Sequence, residues 1–156
     1  MSQESRKRSW STRIIKICCS LALVLSLDSC VHQSTRRMAP TMSAGRMSQM
    51  KSFYVRKHSE DDYKVGEDIA AQLQSMGYRA SVGSTQSAPS KVDGVITYTD
   101  KWFWDITMYM LSLDVQLREP GSDMVLANAM TVRSSLVRKS QKEMIRETIT
   151  KLITDS

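Results

Sequence analysis

Three aspartates and one histidine are the residues of this sequence best suited to acid–base or metal chemistry. Asp93, Asp100, Asp105 and His58 carry groups that bind divalent cations or transfer protons. Their spacing matches no calcium loop, and the sequence has no phosphate-loop, Gly-x-Ser-x-Gly or His-Glu-x-x-His motif. No cysteine nucleophile follows Cys30. We therefore predict no metal, no cofactor and no catalytic residue, with hydrolysis of a glycan or peptide by His58, Asp100 and Asp105 as the alternative.

Aromatic and methionine side chains are concentrated in residues 97–110. This segment contains every tryptophan of the chain except Trp10. We predict that Trp102, Trp104, Met108 and Met110 form an apolar patch on the open face of a sheet, where a protein partner, a peptide strand or an acyl chain would bind. The alternative is that these residues close the end of the core, because large aromatic side chains dominate core packing.

The elements that must position these residues are predicted from the periodicity of apolar side chains. Residues 65–76 repeat apolar positions every three or four residues and are followed by Gly77, which is typical of a helix with a C-terminal glycine. Ser140 and Glu143 have the spacing of a capping box at the start of a second helix. Alternating or β-branched runs predict strands over 53–55, 78–82, 95–99, 106–117 and 124–134.

The predicted order is β-α-β-β-β-β-α. We expect an α/β fold, with two helices on one face of a mixed sheet of about five strands, in a two-layer sandwich. Strict alternation in the longest strand separates two sets of side chains. The core face would carry Tyr109, Leu111, Leu113, Val115 and Leu117, and the open face would carry Met108, Met110, Ser112, Asp114 and Gln116.

The amino-terminal segment has the order of a secretion signal. A basic stretch that includes residues 6–8 precedes an apolar run over residues 17–27. That run is far shorter than the ~20 residues of a membrane-spanning helix. Leu27-Asp28-Ser29-Cys30 then resembles the lipobox of bacterial lipoproteins, although Asp28 departs from its pattern. We predict a signal peptide over 1–29 and lipidation of Cys30, with cleavage to a soluble periplasmic protein or an uncleaved weak anchor as alternatives.

The basic character of the chain lies outside its predicted domain. The formal net charge is +6, but residues 53–156 contain 13 basic and 14 acidic side chains. Residues 30–51 have four basic residues, no acid and no apolar period, and we predict a flexible tether there. A nearly neutral domain over 52–156 indicates no nucleic-acid partner. Binding of an anionic surface through the basic tether is the remaining electrostatic alternative.

The predicted domain resembles a group of small bacterial envelope lipoproteins for which no activity is known. The resemblance covers about two thirds of the chain. Its specific part is the pattern Tyr98-x-Asp100-x-Trp102-x-Trp104-Asp105. It implies an α/β domain similar in layout to those of assembly or accessory factors, and it does not indicate any particular activity.

These observations together favour a membrane-anchored envelope lipoprotein that is not an enzyme. Its membrane contact would be the lipid, including palmitate, on Cys30, and its partner would be an envelope protein. Val31 after the cysteine implies sorting to the outer membrane, with the domain in the periplasm, in a Gram-negative host. The alternatives are an envelope hydrolase and binding through the basic tether.

Overall fold

The computed structural model describes residues 32–39, 42–84 and 91–154. The predicted signal over 1–29 and the predicted lipidation site at Cys30 lie outside these residues. The described elements follow one another along the chain as β1 (His32–Met38), α1 (Ala44–Gln49), β2 (Ser52–Arg56), α2 (Val65–Ser75), β3 (Arg79–Gly83), β4 (Gly94–Asp105), β5 (Thr107–Arg118), β6 (Val125–Arg133) and α3 (Gln141–Thr154).

The strands form one mixed sheet with the order β1-β6-β5-β4-β2-β3. β2 runs parallel to both β3 and β4, and the remaining neighbours are antiparallel. The unit β2-α2-β3 is therefore the predicted crossover. α2 packs on β2 and β3, while α3 packs on β5, β6 and α2. The predicted two-layer α/β architecture is confirmed, with one more strand than expected.

α2 ends, and α3 begins, at the residues predicted from the sequence. Gly77 has a φ of 91°, and the amide of Tyr78 donates to the carbonyl of Leu73 over 3.1 Å, which closes α2. At the start of α3, the amide of Glu143 donates to Ser140 Oγ over 3.3 Å, and the Ser140 amide donates to the Glu143 carboxylate over 2.9 Å. The capping box predicted from the sequence is thus formed in both directions.

A β-bulge interrupts the pairing of β4 with β5. Lys101 is paired with Ser112, but Trp102 is paired with Met110, so that Leu111 is the extra residue. The bulge reverses the alternation towards the start of β5, and Met110 therefore lies in the core with 1% of its surface exposed. The expectation that Met110 lies on an open face is wrong for this reason. Leu113, Val115 and Leu117, beyond the bulge, are buried as predicted.

Residues 32–39 and 42–50 belong to the folded unit, where the sequence suggested a flexible tether. All seven residues of β1 are paired with β6, from His32 opposite Arg133 to Met38 opposite Ala127. Met42, Met47 and Met50 pack in the core. The polar β1 has no apolar period because it is held by backbone hydrogen bonds to the edge of β6. The described residues from His32 onward therefore pack with the elements that follow residue 52.

We expect Met47→Ala to destabilise the protein by about 2–3 kcal/mol, because it removes a buried side chain and leaves a cavity. Met47 is 4% exposed. Urea unfolding measures the difference, with Gln49→Ala as the matched change at an exposed position of the same helix. Equal unfolding free energies for the two variants would show that α1 is not part of the core.

Candidate functional site

The turn between β4 and β5 is surrounded by exposed apolar side chains. Phe103 is 52% exposed, Trp104 68%, Ile106 84% and Met108 47%. These four residues are called the apolar tip below. Side chains of this size are normally buried in the core of a small domain, and single exposed ones are common, but a contiguous group indicates a contact surface.

The apolar tip has apolar side chains on both faces of the hairpin. Trp104 is paired with Met108, and Phe103 is paired with Tyr109. Residues paired across antiparallel strands share a face, and successive pairs alternate between faces. Trp104 and Met108 therefore extend from one face, while Phe103 packs edge to face on Tyr109 on the other, with ring centroids 5.9 Å apart.

Ile106 occupies the turn itself in a conformation that disfavours its side chain. Its φ is 62°, in the left-handed region. A β-branched residue is a rare occupant of that region, in which glycine has no steric penalty. The turn thus carries an exposed isoleucine where glycine would be the less strained residue, and such strain is characteristic of functional positions.

Arg138 fixes the hairpin against the loop that follows β6. Its guanidinium donates to Thr107 Oγ1 and to the Asp105 carboxylate, each over 2.9 Å, and Arg138 Nε donates to the carbonyl of Ser135 over 3.0 Å. The same group lies over the ring of Tyr109, with 4.4 Å to the centroid. The loop held in this way carries Leu136, which is 84% exposed.

Trp102 anchors the base of the hairpin and is not part of the exposed surface. Its indole nitrogen donates to Asp100 Oδ2 over 2.6 Å, and its ring stacks on Tyr63 with centroids 4.0 Å apart. The other carboxylate oxygen of Asp100 lies 3.0 Å from His58 Nε2. The side chain of Asp100 is 7% exposed, so that both of its partners compensate for its burial.

Asp61 and Tyr98 connect this base to α2. Asp61 accepts hydrogen bonds from the amides of Val65 and Gly66 over 2.7 and 2.9 Å, and from the Tyr98 hydroxyl over 2.7 Å. Burial opposes ionisation of Asp61, but these three hydrogen bonds outweigh it and lower its pKa. Burial, together with the bond to Asp61, raises the pKa of Tyr98. The geometry is that of a structural cap, in which a carboxylate satisfies the free amides of a helix start.

The residues considered for catalysis are divided among separate structural roles. His58 and Asp100 are brought together, but Asp105 pairs with Arg138 at the tip. Asp93 accepts from the amides of Lys51 and Ser52 over 2.9 and 2.8 Å at the opposite end of β4, and the Lys51 amide is the main cause of its lowered pKa. Among the described residues, His, Cys, Asp and Glu form no group of three or more that could hold a metal ion.

The open face of the sheet is polar. A cavity of about 310 Å³ lies on it. Arg118 donates there to Thr97 Oγ1 over 3.1 Å, and Arg56 lies 3.1 Å from the carboxylate of Asp123. The apolar surface predicted for this face is found at the end of the β4–β5 hairpin instead. The residues around the cavity are Arg56, Thr97, Tyr98, Thr99, Asp114, Gln116, Arg118 and Asp123.

The four residues predicted to form a binding surface are thus separated by the structure. Trp104 and Met108 belong to the exposed tip, Trp102 is partly buried, and Met110 is in the core. Sequence reasoning missed Ile106, since an isoleucine in a turn resembles the start of the next strand. Asp61, in contrast, belongs to the stretch 59–62, which supplies capping candidates before α2.

Comparison with known proteins shows similarity in fold only. No protein-family model and no curated protein matches the sequence. The PelC dodecamer from Paraburkholderia phytofirmans is 11% identical over 79% of this chain and 99% of its own, with a TM-score of 0.53. A point variant of that dodecamer gives 13% identity, 79% and 98% coverage and a TM-score of 0.54. These values indicate a shared fold across almost all of PelC.

A minor lipoprotein from Acinetobacter baumannii also matches, at 14% identity over 68% of this chain and 92% of its own. Its TM-score of 0.35 is too low to indicate the same fold. Within the described part of the chain, no helix combines the length and hydropathy that a membrane span requires.

We expect the loss of stability on acidification to depend on Asp61. Its pKa in the folded protein is below the usual 3.8, so its contribution is complete above that value and is lost as the pH falls through the folded-state pKa. Urea midpoints measured from about pH 5 to about pH 2 should fall more steeply for the wild type than for Asp61→Asn. Asp62→Asn, at the exposed neighbouring position, is the matched control and should follow the wild type. Parallel curves for Asp61→Asn and the wild type would contradict this role.

Ile106→Gly should raise the unfolding free energy by about 0.5–1 kcal/mol. The left-handed backbone costs a non-glycine residue ~1–2 kcal/mol, and the greater freedom of glycine in the unfolded chain removes ~0.5–1 kcal/mol of that gain. Little packing is lost, because Ile106 is 84% exposed. Ile106→Val, which keeps the strain, serves as the control in thermal unfolding. A clear loss of stability in the glycine variant would mean that Ile106 packs against the domain.

Proposed function

We propose that this protein is a membrane-anchored envelope lipoprotein whose domain acts as a non-enzymatic binding or assembly factor. Lipid on Cys30 would provide the anchor, and Val31 favours the outer membrane with the domain in the periplasm. The support for this location comes from the order of basic, apolar and small residues before Cys30.

The observation that carries the binding role is the exposed apolar tip. Four large apolar side chains at a strained turn are costly to keep in water. The hairpin beneath them is held by the Trp102–Tyr63 stack and by Arg138. A hairpin backbone held in this way lowers the entropic cost of binding, because less of it has to be ordered in the complex.

A non-enzymatic role is supported by the acidic side chains near the hairpin, because they form structural contacts. Asp61 caps α2, Asp100 joins Trp102 and His58, and Asp105 is paired with Arg138. Each of these carboxylates is engaged in a contact that supports the hairpin or its base. The alternative, an envelope hydrolase, requires that alanine at His58 or Asp100 abolish an activity in protein that remains folded.

Self-association is part of the proposal, because PelC, which shares the fold, is a dodecamer. β3 is one edge of the sheet, and its Val82 is 36% exposed. Such an edge offers backbone groups for pairing with a further strand. Sedimentation of the detergent-extracted protein would detect this association.

We expect the intact mass of the membrane-extracted wild type to show a chain that begins at Cys30 and carries lipid. Cys30→Ala removes the thiol that would be lipidated and should eliminate the lipid mass. Cys19→Ala, within the apolar run, is the matched cysteine control and should be processed normally. A wild type that lacks lipid, or Cys30→Ala protein that still carries it, would contradict the proposed anchoring.

A further inference from the structure

The position of the apolar tip identifies its binding partner. We infer that Phe103, Trp104, Ile106 and Met108 insert into the interfacial layer of the same bilayer that holds the lipid of Cys30. This inference rests on the proposed lipidation of Cys30. It adds to that proposal a second membrane contact, made by the domain itself.

The strand register places the tip and the amino-terminal end of β1 at the same end of the sheet. His32 is paired with Arg133 at the end of β6. The last pair of β5 with β6 before the hairpin is Ser112 with Val132. The hairpin therefore projects from the end of the sheet at which the chain arrives from Cys30.

The tip extends farther beyond His32 than the two-residue connection back to Cys30 can span. Arg133 is level with the bulge at Leu111, and about four strand positions separate that level from the turn at Ile106. At ~3.3 Å per residue the tip lies about 13 Å beyond His32. Cys30 is two residues from His32, so its Cα lies at most about 7 Å away. With lipid on Cys30, this short connection would hold the tip end of the sheet close to the bilayer.

The tip also has the composition of a membrane-inserting segment. A protein partner would typically cover one face of the hairpin, but apolar side chains extend from both faces and from the turn. Tryptophan is enriched at membrane interfaces, where its ring is partly in contact with acyl chains. The strain at Ile106 is consistent with a turn in which an apolar side chain is needed.

Polar residues lie among and behind the apolar side chains of the tip. Asp105, between Trp104 and Ile106, pairs with Arg138 over 2.9 Å, and Lys101 is exposed on β4 two residues before Phe103. These groups would lie at the level of the lipid headgroups, which limits the insertion to the interfacial layer. A domain resting on its open face would instead place Arg56 and Arg118, together with Asp123, against the bilayer.

The basic residues in the segment 30–51, which the sequence predicted to be a tether, do not account for the proposed membrane contact. Arg46 pairs with Glu119 at 2.5 Å, beyond the opposite end of β5. Arg37 is paired with Asn128, well away from the tip. Binding through the tip is therefore apolar and should change little with salt, whereas binding through basic residues would weaken strongly.

The test is photo-crosslinking in living cells of the full chain with a benzophenone amino acid at position 104, at position 108 or at position 124. Met108 and Met124 are a matched pair, with 47% and 45% exposure at opposite ends of the sheet. We expect phospholipid adducts, detected by intact mass, at 104 and 108 in at least about fivefold excess over 124. Adducts at 104 with protein, including a second copy of this chain, would overturn the inference, and so would lipid adducts no more frequent than at 124.

A second measurement uses unmodified side chains, in case the probe disturbs the hairpin. The fluorescence lost in Trp104→Phe is the signal of Trp104, and Trp102→Phe is the matched control because its ring is stacked on Tyr63. In vesicles of phospholipids brominated near the headgroup, the Trp104 signal of the membrane-extracted protein should be quenched about twofold or more. A Trp104 signal quenched by aqueous acrylamide and not by brominated lipid would overturn the insertion.

The same intact masses separate this inference from the proposed function. Lipid on Cys30 without insertion of Trp104 leaves the lipoprotein assignment in place and overturns the inference. A chain without lipid on Cys30 overturns the proposed function, and it also overturns the inference, since the short anchor is its premise.

Discussion

One extra residue in β5 determines which side chains of the hairpin face the core. Because side chains alternate along a strand, the bulge at Leu111 exchanges the two faces for every residue between it and the turn. Met110 is thereby buried, and Trp104 and Met108 continue the same face beyond the last core residue. Without the bulge, Met110 would face the polar side of the sheet. The separation between a packed base and an exposed apolar end follows from this one change of register.

A network of hydrogen bonds connects the base of the hairpin to the rest of the domain. The Tyr98 hydroxyl and the first amides of α2 converge on Asp61, and Trp102 and His58 converge on Asp100. Both Tyr98 and Asp100 belong to β4, which links the start of the helix to the base of the hairpin. Buried carboxylates of this kind are tolerated only when hydrogen bonds replace the lost water, so each of them requires its neighbours in place.

Much of the architecture was predictable because it depends on local patterns. The periodicity of α2, the glycine at 77 and the Ser140–Glu143 capping box each specify a structure over a few residues, and all three are present. The class of fold followed from the order of these elements.

The incorrect predictions concern features that depend on contacts between residues far apart in the sequence. Nothing in the polar sequence of β1 indicates the strand edge to which it binds, and no local rule places a bulge at Leu111. Trp104 and Met108 were identified from their residue types, but Ile106 was not, because its significance lies in a backbone angle that no composition reveals.

The pairing of β1 also has a consequence for the order of events as the protein is made. β1 is joined to β6 across most of the chain, as the contact of Ser34 with Thr131 illustrates. It cannot form until residues 127–133 are available, and its first paired residue is only two positions after Cys30. The lipidation proposed for Cys30 would require that the chain around this residue be accessible. On that proposal, β1 would still be unpaired while residues 127–133 are being made, and modification would precede the pairing of β1 with β6.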